Sequence, residues 1–337
     1  MRVLVTGGTG YIGSHTCVSL LDSGSHVVIA DNLSNSRLDV LNRIEKITGK
    51  KPVFYKVDLR NKEEIFEIFE KENIDSVIHF AALKSIPDSV AHPLEYYENN
   101  VIGTMNICYA MKKYNVKKIV LSSSAAVYGL TDNNPIKETA PLFPYNPYGR
   151  TKMIQEYIVS DFAKSEKAGA VILRYFNPIG AHESGLIGED PIGTPSNLMP
   201  YVSQVASGRL EKLHVFGNDY NTVDGTGVRD YIHVCDLAEG HIKALEKLNT
   251  INDCVLTLNL GSGHGYSVLE VVKSFEKASG IKINYEIAPR RQGDVGTCFA
   301  DITMAQKEIC WKPERNIEKM CLDEWSWQKL NPKGYEE

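Results

Sequence analysis

The chain has 337 residues, 43% of them hydrophobic and 23% charged, with 37 Lys and Arg against 42 Asp and Glu for a formal net charge of −5. That is about two domains' worth of chain, enough to bury a large core without disulfide or metal staples, and its composition excludes disorder, collagen and coiled coil as descriptions of the whole. The charge balance gives no global attraction to nucleic acid or anionic lipid, and no apolar run approaches the roughly 20 residues that span a bilayer.

The first predicted strand, Val3 to Thr6, starts so early that no room is left for a signal peptide. Gly7, Gly10 and Gly13 follow it in a G-x-x-G-x-x-G spacing that opens a helix, on which Cys17, Leu20 and Leu21 share a face. Further apolar strands are predicted at Val27 to Ala30, Val53 to Val57, Ser76 to Phe80, Lys118 to Ser122 and Val171 to Phe176. Helical spacing lies between them, with Ile65, Ile68 and Phe69 on one face, and later Ile154, Ile158 and Phe162 on another. Strands that alternate with helices and are apolar almost throughout predict an α/β fold with a doubly wound parallel sheet of the Rossmann type. After Asn177 the texture changes. Gly180 to Pro200 reads as loop and lid, Gly217 to Gly227 as a second loop, Tyr231 to Leu248 as a short strand entering a helix, and Val255 to Leu260 as a strand before a mixed α/β tail. The expected organisation is a nucleotide domain over 1–177, to which the chain returns at about 228–262, and a smaller substrate domain over 178–337. Clefts between domains are favoured ligand sites.

Seven scattered cysteines without a C-x-x-C pair read as reduced thiols of a cytoplasmic protein. Nine histidines without H-E-x-x-H or a tight His/Cys cluster predict no metal site.

The glycine turn between strand and helix suits a pyrophosphate: the backbone approaches closely and the new helix offers free N–H groups and its positive end. Asp31, ending the second strand, can accept from both adenosine ribose hydroxyls and repels a 2′-phosphate, which favours NAD over NADP. A helix N-cap is the plainer reading of Asp31. Asp58, ending the third strand, is placed to meet the adenine edge, with a strand-end turn as its competitor.

Tyr148 and Lys152 stand four apart, on one face of a helix. A free phenol has a pKa near 10, and a base at neutral pH needs about three units less, or about 4 kcal/mol of differential stabilisation. One positive charge about 5 Å away supplies roughly 3 kcal/mol at an effective dielectric of 20. Lysine together with an oxidised nicotinamide therefore makes the tyrosine a plausible base. Ser122, Ser123 and Ser124 end the preceding strand, where such sheets bind ligands, and one of them can share a hydrogen bond with the phenol and a substrate hydroxyl. Spacing alone does not separate Ser122 from Ser124.

With the glycine turn, the serine-bearing strand and Y-x-x-x-K together, the sequence resembles the extended short-chain dehydrogenase/reductase family, and within it the UDP-glucose (UDP-galactose) 4-epimerases over essentially the full length. The stretches that carry the likeness include TGGTGYIGSHT (6–16), VIHFAALKS (77–85), SSSAAVYG (122–129), NPYGRTK (146–152), LRYFNPIGAH (173–182), NLMPYVSQVA (197–206) and DGTGVRDYIHVCDLA (224–238). The resemblance implies NAD contacts at Tyr11, Ile12, Asp31, Asn32, Asp58, Leu59, Phe80, Ala81, Lys84 and Asn99, beside the glycines and Ser122. It implies a catalytic trio of Ser124, Tyr148 and Lys152, with Lys152 also on the nicotinamide ribose, and Tyr175 and Phe176 at the nicotinamide end. Asn177, Asn197, Leu198, Phe216, Arg229, Arg291 and Asp294 match positions that hold the UDP-sugar. Guanidinium groups suit a diphosphate, although lone arginines are usually solvated and lone asparagines usually turn residues.

The mechanism implied by the resemblance is hydride removal from C4 of the hexose, rotation of the 4-keto sugar while UDP stays anchored, and return of the hydride to the other face, with no net redox. Galactose metabolism is the implied setting. A homodimer packed through helices near Pro93 to Lys113 and Tyr148 to Ala163 is implied as well. Two departures are expected to tune rather than abolish activity: Ala126 where relatives often have Thr, and Ala82 where they often have Gly. Cys298 matches a position held in the family by a bulky tyrosine or a small residue. A thiol there implies room for an N-acetyl group, hence turnover of UDP-N-acetylglucosamine and UDP-N-acetylgalactosamine too; an inert core cysteine is the plainer reading. The rivals are a nucleotide-sugar 4,6-dehydratase, whose Asp-Glu pair would fall where Ala125 and Ala126 stand, a net-redox reductase, which more often uses NADP, and a non-catalytic NAD-binding regulator, which tends to lose the tyrosine or lysine.

Overall fold

The computed structural model describes residues 1–131, 133–193, 195–251, 253–291 and 293–335; Gln292, within the stretch expected to close over the sugar, lies outside the described residues. The chain lays down β1 (Arg2–Thr6), α1 (Tyr11–Asp22), β2 (His26–Asp31), α2 (Asp39–Thr48), β3 (Val53–Lys56), α3 (Lys62–Glu72) and β4 (Ser76–His79). It continues through α4 (Ile86–Ala91), α5 (Pro93–Tyr96), a π-helical turn (Tyr97–Ile102), α6 (Gly103–Lys113), β5 (Lys118–Ser124), α7 (Pro147–Glu166) and β6 (Gly169–Tyr175). The second half holds β7 (Asn177–Ile179), α8 (Leu198–Ala206), β8 (Leu213–Phe216), β9 (Val228–His233), α9 (Val234–Lys247), β10 (Cys254–Leu260), β11 (Gly265–Ser267), α10 (Val268–Ser279), β12 (Tyr285–Ala288), β13 (Thr297–Cys298), α11 (Thr303–Ile309) and α12 (Ile317–Leu330).

Seven parallel strands form the large sheet in the order β10-β6-β5-β4-β1-β2-β3. The apolar strands follow from burial on both faces: every residue of β6 is buried. Cys17, Leu20 and Leu21 of α1 join α2 and α9 in the core on one face. Ile65, Ile68 and Phe69 of α3 join α6 and α7 on the other. The chain runs outward from β1 to β3, then crosses back to β4. The crevice where order reverses, at the carboxyl ends of β1 and β4, is the ligand position of such sheets.

Three features depart from the expected elements. β5 runs on through Ser124, so all three serines lie on the strand. The helix expected over Pro93 to Lys113 is broken by the π-helical turn, where the fully buried Asn100 bonds to Leu83 instead of facing solvent. In α7 the buried stripe runs through Thr151, Gln155, Val159 and Phe162, while Ile154 and Ile158 are only half-buried.

β9 pairs with β7, β11 and β13 in a separate four-stranded sheet, and β8 pairs with β12. The large sheet regains the chain through α9, packed against α1, and β10, paired with β6. Helices α8, α10 and α12 enclose a further core with Met199, Val202, Phe275 and Met320.

Candidate active site

Gly7 turns the chain out of β1 with φ of +68°, and its N–H donates to Ala30 O at 2.9 Å. A side chain at Gly13 would place its Cβ 2.2 Å from Gly7 O, so the close approach of α1 to the turn requires glycine there. Gly10 differs: its φ is an ordinary −74°, and an added Cβ would meet only Gly7 O, at 3.3 Å. The chain's own packing does not demand this glycine, and the space over it is what a pyrophosphate needs. Helix α1 also starts with no side-chain cap and no acidic residue in its first turn, leaving its positive end to an anion. These features fit a dinucleotide.

Asp31 is not a helix cap, because α2 begins only at Asp39 with Leu38 as its N-cap. Its carboxylate accepts from Thr9 N (3.2 Å), Leu33 N (2.9 Å) and Ser36 Oγ (3.1 Å), so it faces the glycine turn. Neighbouring Asn32 accepts from Ser34 N at 3.0 Å. Asp58 instead closes the turn after β3: it accepts from Arg60 N at 2.9 Å and from the Arg60 guanidinium at 3.0 and 2.8 Å. That fork holds its carboxyl below the usual range. Leu59 is buried against Gly103 at the start of α6.

The loop after β4 lies beside the glycine turn. Ala81 N donates to Thr6 Oγ1 at 3.3 Å, and the Phe80 ring lies 4.7 Å from that of His241. Lys84 Nζ donates to Glu189 at 2.9 Å. Desolvation lowers the Lys84 ammonium, and the Glu189 charge more than restores it, leaving it above its ordinary value. Asn99 donates to the Asn100 side chain at 3.0 Å.

Helix α7 brings in the phenol. Pro147 occupies its first turn and Asn146 caps it, accepting from Gly149 N at 2.8 Å. Strand alternation then sorts the serines. Ser123 points away, into a buried ion pair: its hydroxyl donates to Glu156, which also takes two hydrogen bonds from Arg174, at 2.9 and 2.7 Å. Ser122 and Ser124 share the other face. Ser124 Oγ accepts from Ala126 N at 3.2 Å and acts on the Tyr148 phenol, lowering it against burial, while Ser122 offers its carbonyl to Lys152 Nζ at 2.8 Å.

The electrostatics differ from the simple lysine-on-tyrosine picture. Burial raises the Tyr148 phenol, and the opposing influences are Ser124 and the Lys84 charge. Lys152 is buried against the sheet, bonded to a carbonyl, and desolvation pushes its ammonium down to about 7. Behind Tyr175, buried His241 is pushed down to about 4 and is neutral; its Nδ1 donates to Leu237 O at 2.8 Å, which leaves Nε2 to accept from the Tyr175 hydroxyl. Phe176 is buried beside it, on Val127 and Tyr128.

Across the cleft, Asp294 accepts from Arg291 Nε at 2.9 Å and lies 3.6 Å from Arg229. Arg229 also donates to Val228 O and Val295 O, both at 2.9 Å, and Arg291 lies 4.9 Å over the Phe216 ring. These residues are therefore one cluster rather than scattered solvated charges. Cys298 is half-buried on β13, paired with Arg229, and desolvation pushes its thiol up to about 11. Asn177 is exposed at the start of β7. Asn197 precedes α8 without capping it and donates to Glu189 at 3.0 Å, and Leu198 packs on the core around Met199.

Sequence reading missed two sets of supporting residues. Asn100 accepts from Leu83 N (2.8 Å) and donates to Leu83 O (3.1 Å) and Thr151 Oγ1 (2.9 Å). Gln155 donates to Asn100 O (3.1 Å) and Thr104 Oγ1 (2.7 Å), and His79 joins Thr104 to Thr6. The available signal was polar residues in step with a helix's buried stripe. Glu189, the other miss, sits in a Gly- and Pro-rich loop with no periodicity to mark it. Among the described residues no group of three His, Cys, Asp or Glu can hold a metal ion, and no helix is long and apolar enough to cross a membrane.

A family model described as GDP-mannose 4,6 dehydratase matches residues 4–323. The UDP-glucose 4-epimerase of Bacillus subtilis (strain 168) is 58% identical over 337 residues, covering 99% of each chain. Two solved UDP-glucose 4-epimerases superpose with TM-scores of 0.96. The one from Bifidobacterium longum, in complex with NAD+ and UDP, is 50% identical and covers 99% of this chain and 100% of that one. The one from Stenotrophomonas maltophila, with bound NAD and formylated UDP-arabinopyranose, is 48% identical and covers 99% of each. With a parallel sheet, a glycine turn after β1 and a Tyr148–Lys152 helix facing a serine-bearing strand, and with this identity across its length, the chain belongs to the family that the model describes and, within it, to the UDP-glucose 4-epimerases.

Proposed function

We propose that the chain inverts C4 of UDP-glucose and UDP-galactose reversibly, through a transient 4-keto sugar and with NAD held in the cleft, as an isomerase of galactose metabolism. The observation that carries this reading is Ser124 at the carboxyl end of β5 acting on the Tyr148 phenol, at the same end of the parallel sheet as the glycine turn after β1. NAD bound at the glycine turn would supply a reversible hydride acceptor for C4 and a positive charge near the phenol. The remaining work falls to the chain. Tyr148 as phenolate takes the proton of the sugar 4-hydroxyl, and Ser124 bridges phenol and hydroxyl. Lys152 holds the nicotinamide ribose. The glycine turn, Asp31 and the loop from Phe80 to Lys84 grip the cofactor. Arg229, Arg291, Asp294 and Phe216, with Asn177, Asn197 and Leu198, hold the UDP, so the 4-keto hexose can turn while its nucleotide stays fixed.

The dehydratase chemistry that the family model's description names is not favoured here. It needs a proton-transferring pair just after the strand serine, and Ala125 and Ala126 have no such groups. A small thiol at Cys298, where family members otherwise carry a bulky tyrosine, extends the reading to UDP-N-acetylglucosamine and UDP-N-acetylgalactosamine. The seven free thiols suit a reducing, cytoplasmic compartment. Residues 1–177 with a return at about 228–262 form the NAD-binding domain in this reading, and 178–337 the substrate domain. Exposed apolar side chains on α4 to α7 support a homodimer through that face. Incubation with UDP-galactose, without added nicotinamide, should yield UDP-glucose; net oxidation or a dehydrated sugar in its place would sink the reading.

A further inference from the structure

Lys84 stands between two groups with opposing effects. Its Nζ donates to Oε1 of Glu189 at 2.9 Å, its neighbour Leu83 is tied through Asn100 to Thr151 on the helix that carries Tyr148, and its charge opposes the upward effect of burial on that phenol. Glu189 is buried, and the same Oε1 accepts from the Asn197 amide at 3.0 Å. Lys84 follows β4 on the cofactor side, whereas Asn197 precedes α8 on the sugar side. Glu189 touches both.

We propose that Glu189 is a positioning residue for the Tyr148 base: fixed from the sugar side by Asn197, its carboxylate holds the Lys84 ammonium and sets how much of that positive charge the phenol feels. The inference rests on the reading of Tyr148 as the base. A cation near a phenol favours the phenolate, and a carboxylate on that cation offsets part of the effect. Glutamine at position 189 keeps the shape and both partners but removes the negative charge. About half of the Lys84 side chain (52%) is open to solvent.

The other titratable groups facing this set are Tyr11 and Glu324 near Glu189, Tyr175 near Tyr148, and Lys152, which is turned to the Ser122 carbonyl. Glu324 is buried, bonded to Ser203, and pushed up to about 8 by desolvation and by Glu189.

The test is the pH dependence of kcat of the NAD-loaded enzyme on UDP-galactose, from about pH 5 to about 7.5, where base ionisation is read. Glu189→Gln should move the acid limb to lower pH by at least about 0.5 unit, and Lys84→Met should move it to higher pH. In the Lys84→Met background, Glu189→Gln should shift nothing further. A limb unmoved by Glu189→Gln, or an equal shift without Lys84, overturns the proposal. If Glu189→Gln does not fold, Glu189→Asp should move the limb the same way by less, and an unmoved limb again overturns it. Tyr148→Phe is measured in parallel. If that variant stays within about tenfold of the parent, the base reading itself fails; if it is inactive while the Glu189→Gln limb stays put, only the role of Glu189 falls.

Discussion

At Tyr148 burial outweighs the lowering by Ser124 and Lys84 and leaves the phenol above its ordinary value, so the protein alone does not ionise it. Tyr148→Phe keeps the ring and removes the proton acceptor. It should retain UDP-sugar and NAD binding and lose turnover by at least about 100-fold, the low end for general-base loss, as read by steady-state kinetics beside calorimetric binding. Asp31→Ala removes a carboxylate that faces the glycine turn. NAD affinity should fall by roughly 1.5–3 kcal/mol per charged hydrogen bond lost, and the preference over NADP should narrow; an unchanged preference would place the ribose contact elsewhere. Cys298→Tyr puts a phenol beside Arg229 at the edge of the cluster proposed to hold UDP. It should abolish turnover of N-acetylated UDP-hexoses selectively and keep most activity on UDP-galactose, because added bulk rejects the larger substituent. No turnover of UDP-N-acetylglucosamine by the unsubstituted chain would refute the pocket-size explanation.

Helix α7 does more than carry a motif. Its Thr151 and Gln155 are tied to Asn100, which in turn clamps the backbone of Leu83, next to Lys84. One buried amide thus sets the phenol's helix against the loop that carries the neighbouring cation. Asn100→Leu would leave the Leu83 N–H and C=O without their partner, at a cost of roughly 1–3 kcal/mol for each unsatisfied group. Urea unfolding should show a lower midpoint with an unchanged slope. An unaltered midpoint would mean that the loop finds other partners. The helical stripe through Thr151 and Gln155 was open to reading; the π-helical turn that delivers Asn100 was not, because nothing local in Tyr97–Ile102 distinguishes it from ordinary helix.

For the whole molecule, the face made by α4 to α7 presents Val90 (63% exposed), Leu94 (80%) and Tyr157 (57%). This is the face through which the proposed homodimer would pack. Leu94→Glu should convert the particle from dimer to monomer in sedimentation velocity, with its far-ultraviolet circular dichroism preserved. A parent chain that sediments as a monomer would remove the dimer from this account.

What the sequence alone determined is local and periodic. Apolar runs of strand length, glycines at a strand-to-helix turn, an acid ending β2 and a Tyr and Lys one helical turn apart each express their physics within a few residues, so the doubly wound sheet and the helix carrying Tyr148 and Lys152 were legible without coordinates. The tertiary structure decided what depends on partners far along the chain. Strand pairing turned Ser123 to Glu156 and Arg174, leaving Ser124 for the phenol. Packing aimed Lys152 at a carbonyl and brought Lys84 and Glu189, 105 positions apart, into one ion pair beside Tyr148. Pairing, burial and the field at a buried group are sums over the whole fold, and no window of sequence contains them.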